Sequence, residues 1–190
     1  IIEPFLDLQL DMTRLVCAAH LAEVLHDGAE YEQLPQLYQL CGYSFQALKV
    51  MDDPVLHVHV AQMRVLSLLG LAPRLDTCMI CGHDPGEEVK SSQADPGRMT
   101  KYFSVKNCGM ICGRSACRAR ADDAVRLADG VQACLRHSLT APLSRLFNFQ
   151  VEASVRQSFI QLSSLYLIHQ MEKPYPRLKM LQDLIAFDVS

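Results

Sequence analysis

The residues with chemistry in them sit close together. Cys78-Met79-Ile80-Cys81-Gly82 opens a stretch that closes with Cys108-Gly109-Met110-Ile111-Cys112-Gly113-Arg114-Ser115-Ala116-Cys117, and five of the eight cysteines lie in it. Cys78 and Cys81 have the C-x2-C spacing at which two thiolates can face one ion, and Gly82 lets the backbone turn tightly behind them. A second pair further on can complete a tetrahedral zinc site of four cysteines. The closing group is irregular: Cys112 and Cys117 are five positions apart, and Cys108 competes for a place. The favoured ligands are Cys78, Cys81, Cys112 and Cys117, with Cys108 a spare thiol on the connecting strand. The alternatives are ordinary buried thiols or a redox pair at Cys78 and Cys81. A reactive C-x2-C usually opens a helix within a βαβ pattern, whereas this one follows a Gly70 and Pro73 stop.

Composition allows a core and points away from secretion. Of 190 residues 49% are apolar, enough for one domain or a domain with a small appendage. No basic region with a long apolar run stands at the start, and the weakly polar stretch from Ser158 to Ile168 is too short to span a bilayer. Clustered cysteines in such a chain fit a reducing cytosol with a metal site better than a disulfide scaffold. The net charge of −3 is uneven. From Arg98 to Arg126 bases outnumber acids, with Arg114, Arg118 and Arg120 next to the cysteines. Such charge suits a polyanion or an acidic peptide. It would equally balance the two negative charges that four thiolates leave on one Zn2+.

Helices must position this stretch. Leu6, Leu8 and Leu10 alternate with polar residues, a short extended pattern. Residues 1–10, apolar at the start and without an initiator Met, are expected to be the tail of something that precedes them. Asp11 is expected to cap a helix over 12–26, with Met12, Leu15, Val16, Ala19 and Ala22 buried and Gly28 as its stop. A second helix over 32–50 would bury Tyr31, Leu34, Tyr38, Cys41, Phe45 and Leu48, with Pro35 in its first turn. The third begins at Asp53-Pro54 and ends at Gly70. It is apolar on more than one face and should be central; His57 and His59, two apart, point in different directions and are read as non-ligands. Residues 83–100 read as a surface loop, and Lys101–Val105 with Gly109–Cys112 as a hairpin. Residues 118–128 stay open between a short helix and an arm. Asp129 and Gln132 suggest a capping box for a helix over 130–138. Pro142 starts a short turn, a long helix covers 151–172 with His169 near its end, and a last helix follows Lys173-Pro174-Tyr175-Pro176.

In this order the elements resemble a known family. Leu68-Leu69-Gly70-Leu71-Ala72-Pro73-Arg74-Leu75-Asp76-Thr77-Cys78-Met79-Ile80-Cys81-Gly82 carries the specific part of the likeness. Tyr102-Phe103-Ser104-Val105, Leu146-Phe147-Asn148-Phe149 and Arg177-Leu178-Lys179-Met180-Leu181 support it. Together they are similar to the C-terminal part of the bacterial RecO recombination mediators, from about residue 11 to 182. The resemblance implies a helical domain, an N-terminal OB-fold barrel and a four-cysteine zinc module. It also implies proteins that are not enzymes. They bind single- and double-stranded DNA, anneal strands, work with RecR to load RecA, and bind the acidic tail of the single-stranded-DNA-binding protein SSB. Against that pattern the OB barrel is missing, which would weaken DNA binding, and the resemblance makes residues 1–10 the exit segment of that missing N-terminal domain. The closing pair is C-x4-C where C-x2-C is usual, Cys108 stands where glycine is usual, and Lys179-Met180 replaces a usual Lys-Ser.

The expected fold is mainly α, a helical bundle over 11–190 with an inserted small zinc-bound β-hairpin at about 74–120. The expected function is a cytoplasmic, nucleoid-associated, non-enzymatic DNA-repair mediator with a structural Zn2+. Its partners would be RecR, the SSB tail and DNA. Arg114, Arg118, Arg120, Arg145, Arg156, Lys173, Arg177 and Lys179 are candidates for phosphates or acidic tails. The rival is a zinc-stabilised helical scaffold or transcription regulator unrelated to repair; a thiol oxidoreductase ranks below it.

Overall fold

Asp53 and Pro54 start the helix on which the others pack. In the computed structural model, which describes residues 5–31, 35–84 and 100–188, the Asp53 carboxylate accepts from the Leu56 N–H at 3.0 Å. Pro54 sits where a missing N–H costs nothing. For residues 30, 31, 182 and 184–188 the backbone alone is described. Helices α1 (Met12–Tyr31), α2 (Pro35–Leu48) and α3 (Pro54–Leu68) precede the cysteines. Then come β1 (Lys101–Ser104), β2 (Gly109–Cys112), the short α4 (Ser115–Arg118) and β3 (Val125–Arg126). Helices α5 (Asp129–Thr140), α6 (Ala153–Met171) and α7 (Pro176–Asp188) close the chain. The molecule is mainly helical, with one antiparallel sheet of strand order β2-β1-β3.

Every residue from Val55 to Met63 is buried, because α3 is apolar on more than one face and packs on α1, α2, α5 and α6. Each fully buried Leu, Val or Met there contributes roughly 1.5–3 kcal/mol. Two of its buried polar residues, His59 and Gln62, join a chain of partners: His20 Nε2 meets Gln62 Oε1 at 2.9 Å, Gln62 Nε2 meets His59 Nδ1 at 3.0 Å, and Ser163 Oγ meets the same nitrogen at 3.0 Å. The end of α3 follows from Gly70, whose φ of 75° only glycine adopts freely. There the Leu71 N–H donates to Leu66 O at 2.8 Å and the Gly70 N–H to Ser67 O at 3.1 Å, a Schellman closure.

Several sequence expectations are corrected. Residues 6–10 form a 3-10 turn, not an extended segment; Leu8 turns inward while Leu6 and Leu10 stay exposed. Helix α1 runs through Gly28 instead of stopping at it. A Cβ there would meet Val65 Cγ1 at 3.2 Å, so the missing side chain serves the close approach of α1 to α3. The inward stripe of α1 is Val16, Cys17, His20, Leu21 and Val24, while Met12, Leu15 and Ala22 face solvent. Helix α2 begins at Pro35 and buries Leu37, Leu40, Ser44 and Leu48; Tyr38 is 84% exposed. The expected contributions of Glu32 and Leu34, and most of the 83–100 loop, lie outside the described residues.

The capping box at Asp129 does not form. Helix α5 starts one residue earlier, with Ala128 at its cap, and Gln132 turns elsewhere. Its amide donates to Leu75 O at 2.9 Å and its Oε1 accepts from Lys101 Nζ at 2.9 Å. Arg136 adds a bond to Asp76 at 2.7 Å. Chain leaving α3 is thus fastened to chain entering α5, and the cysteine-bearing excursion hangs from that neck. Strand β3 was not foreseen; Tyr102 faces Arg126 and Phe103 faces Val125 across it. Phe103 is fully buried and meets Tyr166 of α6 edge-on at 5.7 Å, which docks the sheet on the bundle.

Candidate metal centre

The first knuckle is built against β2. The Arg74 N–H donates to Cys108 O at 3.0 Å, the Met110 N–H to Arg74 O at 2.9 Å, and the Met79 N–H to Met110 O at 2.8 Å. Gly109 makes this approach possible, since a Cβ there would lie 2.5 Å from Arg74 O. Gly82, at φ 70°, closes the knuckle, its N–H donating to Cys78 O at 2.8 Å. The other two sulfurs come from the end of β2 and from α4.

The ligand atoms of Cys78, Cys81, Cys112 and Cys117 all lie within 4.8 Å of one another. Cys78, Cys112 and Cys117 are buried and Cys81 is exposed. Ile111 and Ala121 form an apolar shell, with Ile80, Tyr102 and Ala124 packed on it. Sulfurs about 2.3 Å from a tetrahedral centre sit about 3.8 Å apart. Cys81 Sγ and Cys112 Sγ are 3.7 Å apart, so the set fits a tetrahedral divalent ion. Four such ligands could close its shell without a position for water or substrate.

The electrostatics agree with that fit. Burial opposes a thiolate at Cys78, but N–H groups of Cys112, Cys81 and Ile80 outweigh it and bring its pKa down to about 7. Burial pushes the Cys112 and Cys117 thiols up, and for Cys117 the neighbouring sulfurs push the same way. A bound cation would favour the thiolate form of the cluster. Arg114 Nη1 approaches Cys81 Sγ at 3.9 Å, where it can offset the remaining negative charge.

Cys108 stands apart. It occupies the β1–β2 turn with φ 54°, a region that favours glycine, and its sulfur accepts from Gln170 Nε2 at 3.1 Å. His57 and His59 are buried in the helical core. His169 is exposed in the last turn of α6.

The candidate basic residues divide. Arg156 pairs with Asp53, Lys173 with Asp27 at 2.9 Å, and Arg177 with Glu23, so these three link helices to one another. Arg118 lies over the Tyr102 ring, 3.7 Å from its centroid. Arg120, Arg145 and Lys179 are exposed. Sequence reasoning marks Tyr102 only as β-prone and Arg126 only as one base in a run; the sheet register that brings them together leaves no trace in linear order.

A mainly helical domain carrying a four-thiol knuckle on a small sheet defines a class: a bundle with a cluster suited to a stabilising metal. No helix among the described residues is long and apolar enough to cross a membrane. A family model described as recombination protein O C terminal matches residues 9–179. The DNA repair protein RecO of Acetivibrio thermocellus is 30% identical over 186 residues, covering 97% of this chain and 68% of its own length. RecO of Listeria innocua is 30% identical over 161 residues, covering 83% of this chain and 56% of its own. RecO of a Thermoanaerobacter species is 23% identical over 174 residues, covering 90% and 64%. The chain belongs to the RecO family of DNA repair proteins and corresponds to its C-terminal part. It spans 56% to 68% of the length of these relatives.

Proposed function

We propose that this chain is the helical, metal-stabilised part of a non-enzymatic DNA-repair adaptor. The observation that carries the reading is the family match over residues 9–179, with relatives named as DNA repair proteins. The clustered thiols support it, because a filled four-cysteine shell leaves no open position for catalysis. Cys78, Cys81, Cys112 and Cys117 would hold one Zn2+, which would fix the excursion between α3 and α5. Residues 11–190 would form one helical domain with that excursion at about 74–120, and residues 1–10 would lead out of a preceding domain.

The partners proposed are DNA, RecR and the acidic tail of SSB, acting together to help load RecA in the bacterial cytoplasm. Contacts made by arginine and lysine should weaken steeply with salt. The test is co-elution and titration calorimetry of the purified chain with RecR, with an SSB-tail peptide and with DNA, at low and raised salt. Salt-sensitive binding to at least one of them is expected. Binding to none would favour a zinc-stabilised scaffold unrelated to repair.

A further inference from the structure

Many of the described basic side chains are matched to acids. Arg156, Lys173 and Arg177 are matched in the helical part, and Lys101 and Lys106 in the sheet region pair with Asp129 and Asp122. Arg118, Arg120 and Arg126 are exposed, and none makes an ion pair with a described residue. Two of them neighbour Tyr102, and the third stands two positions past Arg118 in the chain. Arg118 is held over the Tyr102 ring at 3.7 Å, Arg126 faces that residue across the β1–β3 ladder, and Arg120 follows directly from α4. Tyr102 itself is anchored by packing against the apolar shell of the cysteines.

This arrangement is more specific than a charged face. An arginine resting on an aromatic ring gives up rotamer freedom before any ligand arrives, yet keeps its planar outer face and its N–H donors. Such a plane suits an unstacked base, while exposed Arg126 across the ladder and exposed Arg120 just past Arg118 in the chain suit phosphates. Duplex bases are stacked on one another and offer no face. An acidic peptide would use the charges but has nothing planar for Arg118.

We propose that Tyr102, Arg118, Arg120 and Arg126 form a contact surface for single-stranded nucleic acid. Arg120 and Arg126 hold phosphates, and Arg118, backed by Tyr102, stacks a base. This names a site for the adaptor reading above and rests on it.

The test is fluorescence anisotropy of the whole chain with a labelled oligo-deoxythymidine, a duplex of equal length and an acidic peptide. The triple variant Arg118→Ala, Arg120→Ala, Arg126→Ala is expected to bind the single strand about tenfold more weakly, or worse. Arg118→Lys keeps the charge and loses the stack; it is expected to weaken single-strand binding several-fold and leave duplex binding unchanged. The control is Arg14→Ala with Lys49→Ala, bases of the helical part that are matched by Asp11 and Asp7, with a change under about twofold. Circular dichroism and metal content check that each variant folds like the parent. A triple variant that binds as the parent does overturns the assignment, as does a loss that follows the control pair. Peptide binding lost in the triple variant, with no single-strand binding in the parent, makes this a peptide surface instead. If the parent binds RecR or the SSB tail but no DNA, the surface falls and the adaptor reading stands; if it binds nothing, both fall.

Discussion

Arg156 of α6 grips Asp53, the residue that caps α3, with two N–H groups: Nη2 donates to Oδ1 at 2.9 Å and Nε to Oδ2. One carboxylate thus starts the central helix and ties it to a helix 103 residues away. Burial alone would raise the Asp53 pKa, but Arg156 and the Leu56 N–H bring it below the usual carboxylate value. Asp53→Ala removes both functions and is expected to cost about 2 kcal/mol, with Asp53→Asn, which keeps the cap, costing less. Urea unfolding of the two variants measures this. Equal stability of both variants and the parent would sink the claim.

Metal content is the second expectation. Protein purified reduced and without chelator should carry one zinc per chain. Cys78→Ser should lose zinc and much of its stability, since metal at such sites contributes on the order of 10 kcal/mol. Cys108→Ser should keep the zinc, because the Cys108 sulfur faces Gln170 and lies outside the cluster. Zinc lost from Cys108→Ser but retained in Cys117→Ser would reassign the fourth ligand.

Acid should loosen the helical core well above the pH at which carboxylates protonate. Burial is the chief reason that His57 binds a proton only near pH 4 and His59 only near pH 3. Unfolded, each does so near pH ~6.5. Between those limits the unfolded chain holds more protons, so stability is full above about pH 6.5 and falls as pH drops below it. At pH 5 each such histidine costs about 2 kcal/mol. Thermal melts of the parent and of His57→Phe, from neutral pH down to pH 5, separate this from acid release of metal: the variant should fall less steeply. Identical slopes would reject the assignment to His57.

Two glycine substitutions should act in opposite directions. Gly109→Ala places a Cβ 2.5 Å from Arg74 O and 3.0 Å from Met79 Cγ, against backbone that cannot swing away. It should cost about 2 kcal/mol or more and weaken zinc retention. Gly42 lies within α2 with nothing within 4 Å of its Cβ position. Gly42→Ala should stabilise by about 0.5–1 kcal/mol. Melting temperatures of both decide the matter.

Much of this was legible in the sequence, and the gaps have physical causes. Asp53-Pro54 and Gly70 bound α3 unambiguously, because cap, N1 and left-handed stop are each local chemistry. The cysteines could be grouped because ligand spacing reflects one ion's geometry. The phases of α1 and α2 were not legible: both helices carry apolar residues on several sides, so Tyr38 and Leu37 compete for the core and only packing chooses Leu37. Gly28 looked like a stop because local propensity cannot see Val65 across the interface. The two-residue β3 and the turn of Gln132 toward Leu75 depend on chain brought from elsewhere, so nothing nearby announces them.

The neck that Gln132 and Arg136 make with Leu75 and Asp76 has a consequence for assembly. Once α3 and α5 are in place, both ends of the excursion are pinned together, and its cysteines can explore only a small volume. The meeting of the Cys78–Cys81 pair with Cys112 and Cys117 becomes an intramolecular event at high effective concentration. The entropy of closing that long loop is charged to the helices and not to the ion. A folded bundle would therefore capture metal faster and hold it more tightly than the same thiols on a free peptide.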